Sequence, residues 1–294
     1  MVKWRGRQGS QNIEDRRGAV ATGGGIGIVL LLARFVLSKF GIGGVVVLVG
    51  GFFALRAIGV DPLALLQGGQ PASQQTAAGH DDEASQFVGV VLAETENVWG
   101  EVFAASGQRY PQPTLVMFSG QVNSACGYAS AASGPFYCPG DRKVYLDTSF
   151  FNELSQRFGA PGDFAAAYVI AHEVGHHIQT VTGISDQVRQ AQSRTDQAGQ
   201  NALQVKMELQ ADCYAGVWAY SADRMSGLLD DGDIEEGLQA AAAIGDDTLQ
   251  RNAGRRVTPE SFTHGTSAQR QEWFSRGYRS GDPNACDTFG ASGL

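Results

Sequence analysis

The sequence predicts an α+β chain, mainly helical, with a small β-hairpin or sheet and an N-terminal transmembrane anchor. Three observations lead there. Residues 19–60 are almost wholly apolar or glycine. Strand-like runs bounded by turn signals are confined to positions 114–147. Beyond Asp147 the pattern is helical almost to the end, broken near Gly159–Gly162, Gly183, Gly227–Gly232 and Gly254–Pro259.

Residues 1–18 are polar and basic, with Lys3, Arg5, Arg7, Arg16 and Arg17 against Glu14 and Asp15, and read as a cytoplasmic N-terminus. Residues 19–60 read as the membrane anchor. A bilayer core needs about 20 apolar residues, and 41–60 fit best, with Arg56 placed to snorkel. One span is expected and would put the rest of the chain outside the cytoplasm. A second candidate, Ala19–Leu37, leaves a helical hairpin open. No signal-peptidase-like site follows a short apolar core, so a cleaved signal peptide is not expected. Residues 61–83 lack any apolar period and read as flexible linker. The globular domain is expected over 84–294. Phe87, Val91, Val98 and Val102 mark its first helix, and Thr114–Phe118 a strand. Pro135–Tyr137 and Lys143–Leu146 flank a Pro-Gly-Asp turn and read as a hairpin.

Composition narrows the function classes. The net charge of −8 argues against a nucleic-acid partner, because phosphate binding needs clustered Lys and Arg. The four cysteines contain no C-x-x-C pair, which disfavours a zinc knuckle. Cys126 and Cys138 bracket a loop at a spacing that suits a disulfide, leaving Cys213 and Cys286 for a long-range pair. That would suit an oxidising compartment. Four buried thiols are the alternative.

The most informative segment runs from Asp163 to Gly183 and contains His172-Glu173-Val174-Gly175-His176. Asp163 can cap its start, and Gly183 can end it in a left-handed turn. The two histidines, four apart, project from one helix face and can close on one zinc ion. Glu173 leaves from the adjacent face, where it suits a base acting on water. Three of the chain's five histidines fall between positions 172 and 177, a concentration that a solvated face rarely shows. His177 points about 100° from His176 and reads as a surface or supporting residue.

A third ligand is still needed. Gln179 and Thr182 close the route in which a third histidine follows on the same chain segment. Glu208, with Asp212 one turn later on a helix whose Leu203, Met207, Tyr214 and Trp218 form a buried side, offers another. Glu208 would bind the metal, and Asp212 would hold a ligand imidazole by its other nitrogen. A solvated acidic pair is the alternative.

These motifs resemble the bacterial neutral zinc metallopeptidases, membrane-anchored relatives of the glutamate-liganded zincins. The resemblance rests on Trp4-Arg5-Gly6-Arg7 with Glu14-Asp15-Arg16-Arg17-Gly18, the apolar anchor and the Cys126 loop. It continues through Ala171–Gln179, Glu208-Leu-Gln-Ala-Asp-Cys213, and His264–Arg270 with Trp273, Gly277 and Tyr278. It implies a zincin-like domain, Zn2+ held by His172, His176 and Glu208, and Glu173 as catalytic base. The expected activity is a membrane-anchored, zinc-dependent endopeptidase acting on a peptide or protein substrate. The expected location is the bacterial cell membrane, single-pass, with the catalytic domain extracytoplasmic. The lipid bilayer and a membrane-protein partner complete the expected contacts. His264 is a candidate oxyanion donor, a helix-capping or surface role being the alternative. Tyr168 is expected in the core or facing the site, and Val144–Asp147 as a peptide-binding edge. The rival readings are a catalytically silent zinc-stabilised scaffold and a membrane-complex assembly factor.

Overall fold

The computed structural model describes residues 1–18 and 82–290. The first strand, β1 (Ile13–Asp15), comes from the basic N-terminal segment. It is followed by helix α1 (Glu83–Ala105), whose start is capped by Asp82 accepting a hydrogen bond from the Ser85 N–H at 2.8 Å. Phe87, Val91 and Val98 are buried along one side of α1, as their spacing predicts.

Strands β2 (Thr114–Phe118), β5 (Phe136–Cys138) and β6 (Lys143–Asp147) complete a four-stranded sheet in the order β1-β2-β6-β5. β2 runs parallel to β1 and β6, and β5 runs antiparallel to β6 with Phe136 opposite Tyr145. The two central strands bury Leu115–Phe118 and Val144–Leu146, so they read as continuous apolar runs rather than as alternating ones. Between β2 and β5, β3 (Gln121–Ser124) and β4 (Gly127–Ser130) form a separate ribbon. The Cys126–Cys138 disulfide ties this ribbon to the end of β5. The expected peptide-binding edge at Val144–Asp147 is therefore corrected: β5 covers β6, and β5 is the strand at that end of the sheet.

The rest is helical: α2 (Ser149–Gln156), α3 (Asp163–Val181), α4 (Ile184–Gln192), α5 (Gln197–Ser226), α6 (Asp233–Ala243), α7 (Asp246–Asn252) and α8 (Ser267–Ser280). Helices α3, α5 and α8 share one core with α1, in which Trp99, Phe164, Trp218 and Phe274 are fully buried. Two glycine pairings set their approach. A Cβ on Gly277 would lie 1.9 Å from the Cys213 carbonyl, and one on Gly216 would lie 2.1 Å from that of Phe274. Backbones of α5 and α8 thus touch directly. The Cys213–Cys286 disulfide staples the segment after α8 onto α5 beside this crossing.

The expected membrane anchor is corrected. Among the described residues no helix is long and apolar enough to cross a membrane, and residues 19–60 lie outside them. The expected linker also lies outside them up to residue 81; Asp82 and Glu83 already form the start of α1. A single-pass arrangement with a cytoplasmic residue 1–18 segment and an extracytoplasmic domain is overturned by packing. β1 pairs with β2, Trp4 is buried edge-on against Phe87, and Arg7 bonds Glu94 at 2.9 Å. One span would hold these partners on opposite faces of a bilayer, yet Met1–Arg17 belong to the same compact unit as the helical domain.

Candidate metal centre

Helix α3 starts after Gly162, with Asp163 in its first turn, and ends before Gly183, whose φ of 82° gives the left-handed turn. Helix α5 starts at the Asp196 cap and runs for 30 residues. The two cross where Gly175 faces Ala211; a Cβ at Gly175 would lie 3.0 Å from the Ala211 Cα and carbonyl oxygen. Any side chain there would press on backbone, so glycine sets the approach that brings one helix's carboxylates to the other's imidazoles.

At this crossing His172, His176 and Glu208 converge, with one ligand-type atom from each all lying within 4.8 Å of one another. His172 Nε2 is 3.2 Å from Glu208 Oε2, and His176 Nε2 is 3.5 Å from the same oxygen. The Gln204 amide donates to the other Glu208 oxygen at 2.8 Å. The far nitrogen of each imidazole is already engaged. His172 Nδ1 meets Asp212 Oδ1 at 2.8 Å, and His176 Nδ1 meets Gln179 Oε1 at 2.8 Å. Asp212 is fully buried and is gripped by Arg270, whose Nε and Nη2 donate to its two oxygens at 2.8 and 2.9 Å. The Tyr168 hydroxyl donates to Asp212 and accepts from Arg270. Tyr168 is thus a core residue whose hydroxyl also serves the site.

The electrostatics follow from this packing. Burial works against ionising Asp212, but Arg270 and His172 outweigh it and hold the carboxyl at about 2. Burial also opposes charge on His172, yet the carboxylates of Asp212 and Glu208 push it up to about 10. Glu208 is held well below the usual carboxylate range by the two imidazoles, against the cost of burial. Two ionised carboxylates beside two imidazoles make a pocket that favours added positive charge.

Glu173 sits beside the trio and lines the same cleft, a cavity of about 870 Å³. Phe136 and Tyr137 of β5 and Phe158, Met207 and Ile244 give it apolar walls. His264 lines it too, half-exposed, with Nδ1 3.2 Å from Asp246 Oδ1. The other Asp246 oxygen accepts the backbone N–H groups of Thr263, His264 and Gly265 at 2.7, 2.6 and 3.1 Å. Asp246 raises the His264 pKa despite burial.

One expectation fails outright. His177 is not at the surface and does not support the trio: it is fully buried on another face of α3, edge-on to Tyr110 and Tyr137. Its Nδ1 accepts from the Tyr137 hydroxyl at 3.1 Å, and its Nε2–H donates to the Pro111 carbonyl. Sequence reasoning also assigned no role to Arg270, Gln179, Gln204, Gln210 or Asp246. Arg270, Gln179 and Gln210 stand within the motifs already singled out, which is the signal that could have found them.

The donor set fits zinc. Two imidazole Nε2 atoms and a carboxylate oxygen form the mixed nitrogen–oxygen set that this ion takes, and the open cleft leaves space for a fourth position.

A family model described as "Putative neutral zinc metallopeptidase" matches residues 2–289, and the chain belongs to that family. It is 49% identical over 297 residues to the uncharacterized protein YpfJ of Escherichia coli K12, covering 99% of this chain and 100% of that protein. It is 43% identical over 256 residues to the uncharacterized protein Rv2575 of Mycobacterium tuberculosis H37Rv, covering 81% of this chain and 85% of that one. No solved structure matches.

Proposed function

We propose that this chain is a zinc-dependent endopeptidase in which His172, His176 and Glu208 hold the metal and Glu173 is the general base. The observation that carries the reading is the convergence of two Nε2 atoms and one carboxylate within 4.8 Å on the wall of an open cleft. Bound there, zinc supplies Lewis acidity that acidifies water and polarises a scissile carbonyl.

The protein's own groups do the rest. Glu173, adjacent in sequence to His172 but on another helix face, takes a proton from the attacking water and passes it to the leaving amine. His264 donates a hydrogen bond to the oxyanion that develops on the carbonyl. Its Nδ1 is engaged by Asp246, which keeps the ring oriented and leaves Nε2 for the cleft. Asp212 fixes His172 by its far nitrogen, so that Nε2 is the nitrogen that would give up its proton to bind the metal. An extended peptide would lie along β5, pairing by main-chain hydrogen bonds, because β5 both ends the sheet and lines the cleft.

The test uses the full chain, wild type and Glu173→Gln, each assayed for bound zinc and incubated with a peptide library read by mass spectrometry. Cleavage should fall about 10²–10⁴-fold in the variant with zinc content unchanged. N-methylated members of the same library, which lack backbone donors, should resist cleavage. Stoichiometric zinc with no cleavage by the wild type would leave the scaffold reading instead.

A further inference from the structure

Each imidazole of the trio must present Nε2, and the two are set by different devices. For His172 the device is a carboxylate: Asp212 can only accept, so the nitrogen facing it, Nδ1, carries the hydrogen. For His176 the facing group is the side-chain amide of Gln179, which could in principle turn either its oxygen or its NH2 to the ring. What fixes it lies further out.

The Gln210 amide places Nε2 3.0 Å from the backbone carbonyl of Cys286. A carbonyl only accepts, so the NH2 of Gln210 must face it and its Oε1 must face Gln179. Gln179 Nε2 lies 3.1 Å from that oxygen and 2.7 Å from the Met207 carbonyl, a second group that only accepts. Gln179 is thereby obliged to turn its own oxygen toward His176 Nδ1. That oxygen makes Nδ1 the hydrogen-bearing nitrogen and leaves Nε2 toward Glu208. Both glutamines are buried, Gln179 completely, so water does not compete for these bonds. The Met207 carbonyl directly, and the Cys286 carbonyl through Gln210, thus both set which atom Gln179 turns to the far side of the trio, the latter from a segment stapled to α5 by Cys213–Cys286.

We propose that Gln179 and Gln210 are positioning residues for His176, forming a one-directional amide relay that selects its metal-binding nitrogen. The proposal rests on the reading of His172, His176 and Glu208 as the zinc site, and its test separates the two. Zinc dissociation constants of the full chain are measured by chelator competition for wild type, Gln179→Leu, Gln210→Leu and the double variant, with melting temperatures alongside. Gln179→Leu should bind zinc about 10–100-fold more weakly. Gln210→Leu should show a smaller loss. The double variant should be no weaker than Gln179→Leu alone, because Gln210 acts only through Gln179; a merely structural role would lower the melting temperature and leave zinc affinity unchanged. A folded Gln179→Leu with unchanged affinity, or additive losses, overturns the relay. Should Gln179→Leu fail to fold, unchanged affinity in Gln210→Leu overturns it instead. A wild type that binds no zinc defeats the site reading itself.

Discussion

His172 and His177 stand on one helix, are both buried, and are driven in opposite directions. On the face toward α5, burial disfavours charge on His172, but Asp212 and Glu208 override it and hold the ring up at about 10. On the face toward β5, His177 meets two tyrosine rings and a carbonyl with no carboxylate, and burial pulls it down to about 4. The residue type is the same and the backbone is continuous. Neighbouring charge decides, and the two faces do different work: one is an ionic site open to a cleft, the other a neutral strut between α3, β5 and the loop at Pro111.

The comparison breaks most easily at the ionic face. Arg270→Met leaves the Asp212 carboxylate buried without its cation and should cost about 3–5 kcal/mol of stability, read by urea unfolding. A loss under about 1 kcal/mol would mean that the face is not held by charge.

The neutral face gives the next effect, through pH. The His177 pKa in the fold lies below its unfolded value of about 6.5, so the fold favours the neutral ring. Its contribution is complete above pH 6.5 and is lost as pH falls from there toward 4, on the order of 3 kcal/mol in all. His177→Gln keeps a hydrogen-bond donor and an acceptor but does not titrate; the unfolding free energy should fall less between pH 7 and pH 4.5 in this variant than in wild type. Parallel losses would show that His177 is not the titrating strut.

The smallest effect tests what holds the ionic face together. Gly175→Ala sets a methyl 3.0 Å from the Ala211 backbone and should cost about 1–3 kcal/mol, with weaker zinc binding as the crossing opens. Unchanged melting temperature and zinc affinity would show that the crossing adapts.

Much of the ionic face was legible in the sequence because its spacing is local. His172 and His176 lie one turn apart, as do Glu208 and Asp212, and a helix with a clear start and stop fixes the side from which each pair projects. The strand at Thr114–Phe118 and the β5–β6 pairing were legible for the same reason. The strut was not. A polar residue about 100° from a ligand reads as surface, and the partners that bury His177 come from positions 110, 111 and 137. Arg270 was visible within a motif, but its grip on Asp212 depends on the glycine contact between α5 and α8, which no periodicity announces. β1 is three residues, two of them acidic, in a segment whose positive charges suggested a cytoplasmic tail. Only pairing with β2 makes it a strand.

The amide relay and the arginine grip have a consequence for the order in which the site is completed during synthesis. The helix with both histidines and the helix with both carboxylates are made first, while Arg270 and the Cys286 carbonyl come near the end of the sequence. A growing chain can therefore hold all three prospective ligands, with Asp212 and Gln179 beside them, for many residues before it holds the groups that fix Asp212 and Gln210. The ligand set is thus complete along the chain well before its outer supports are.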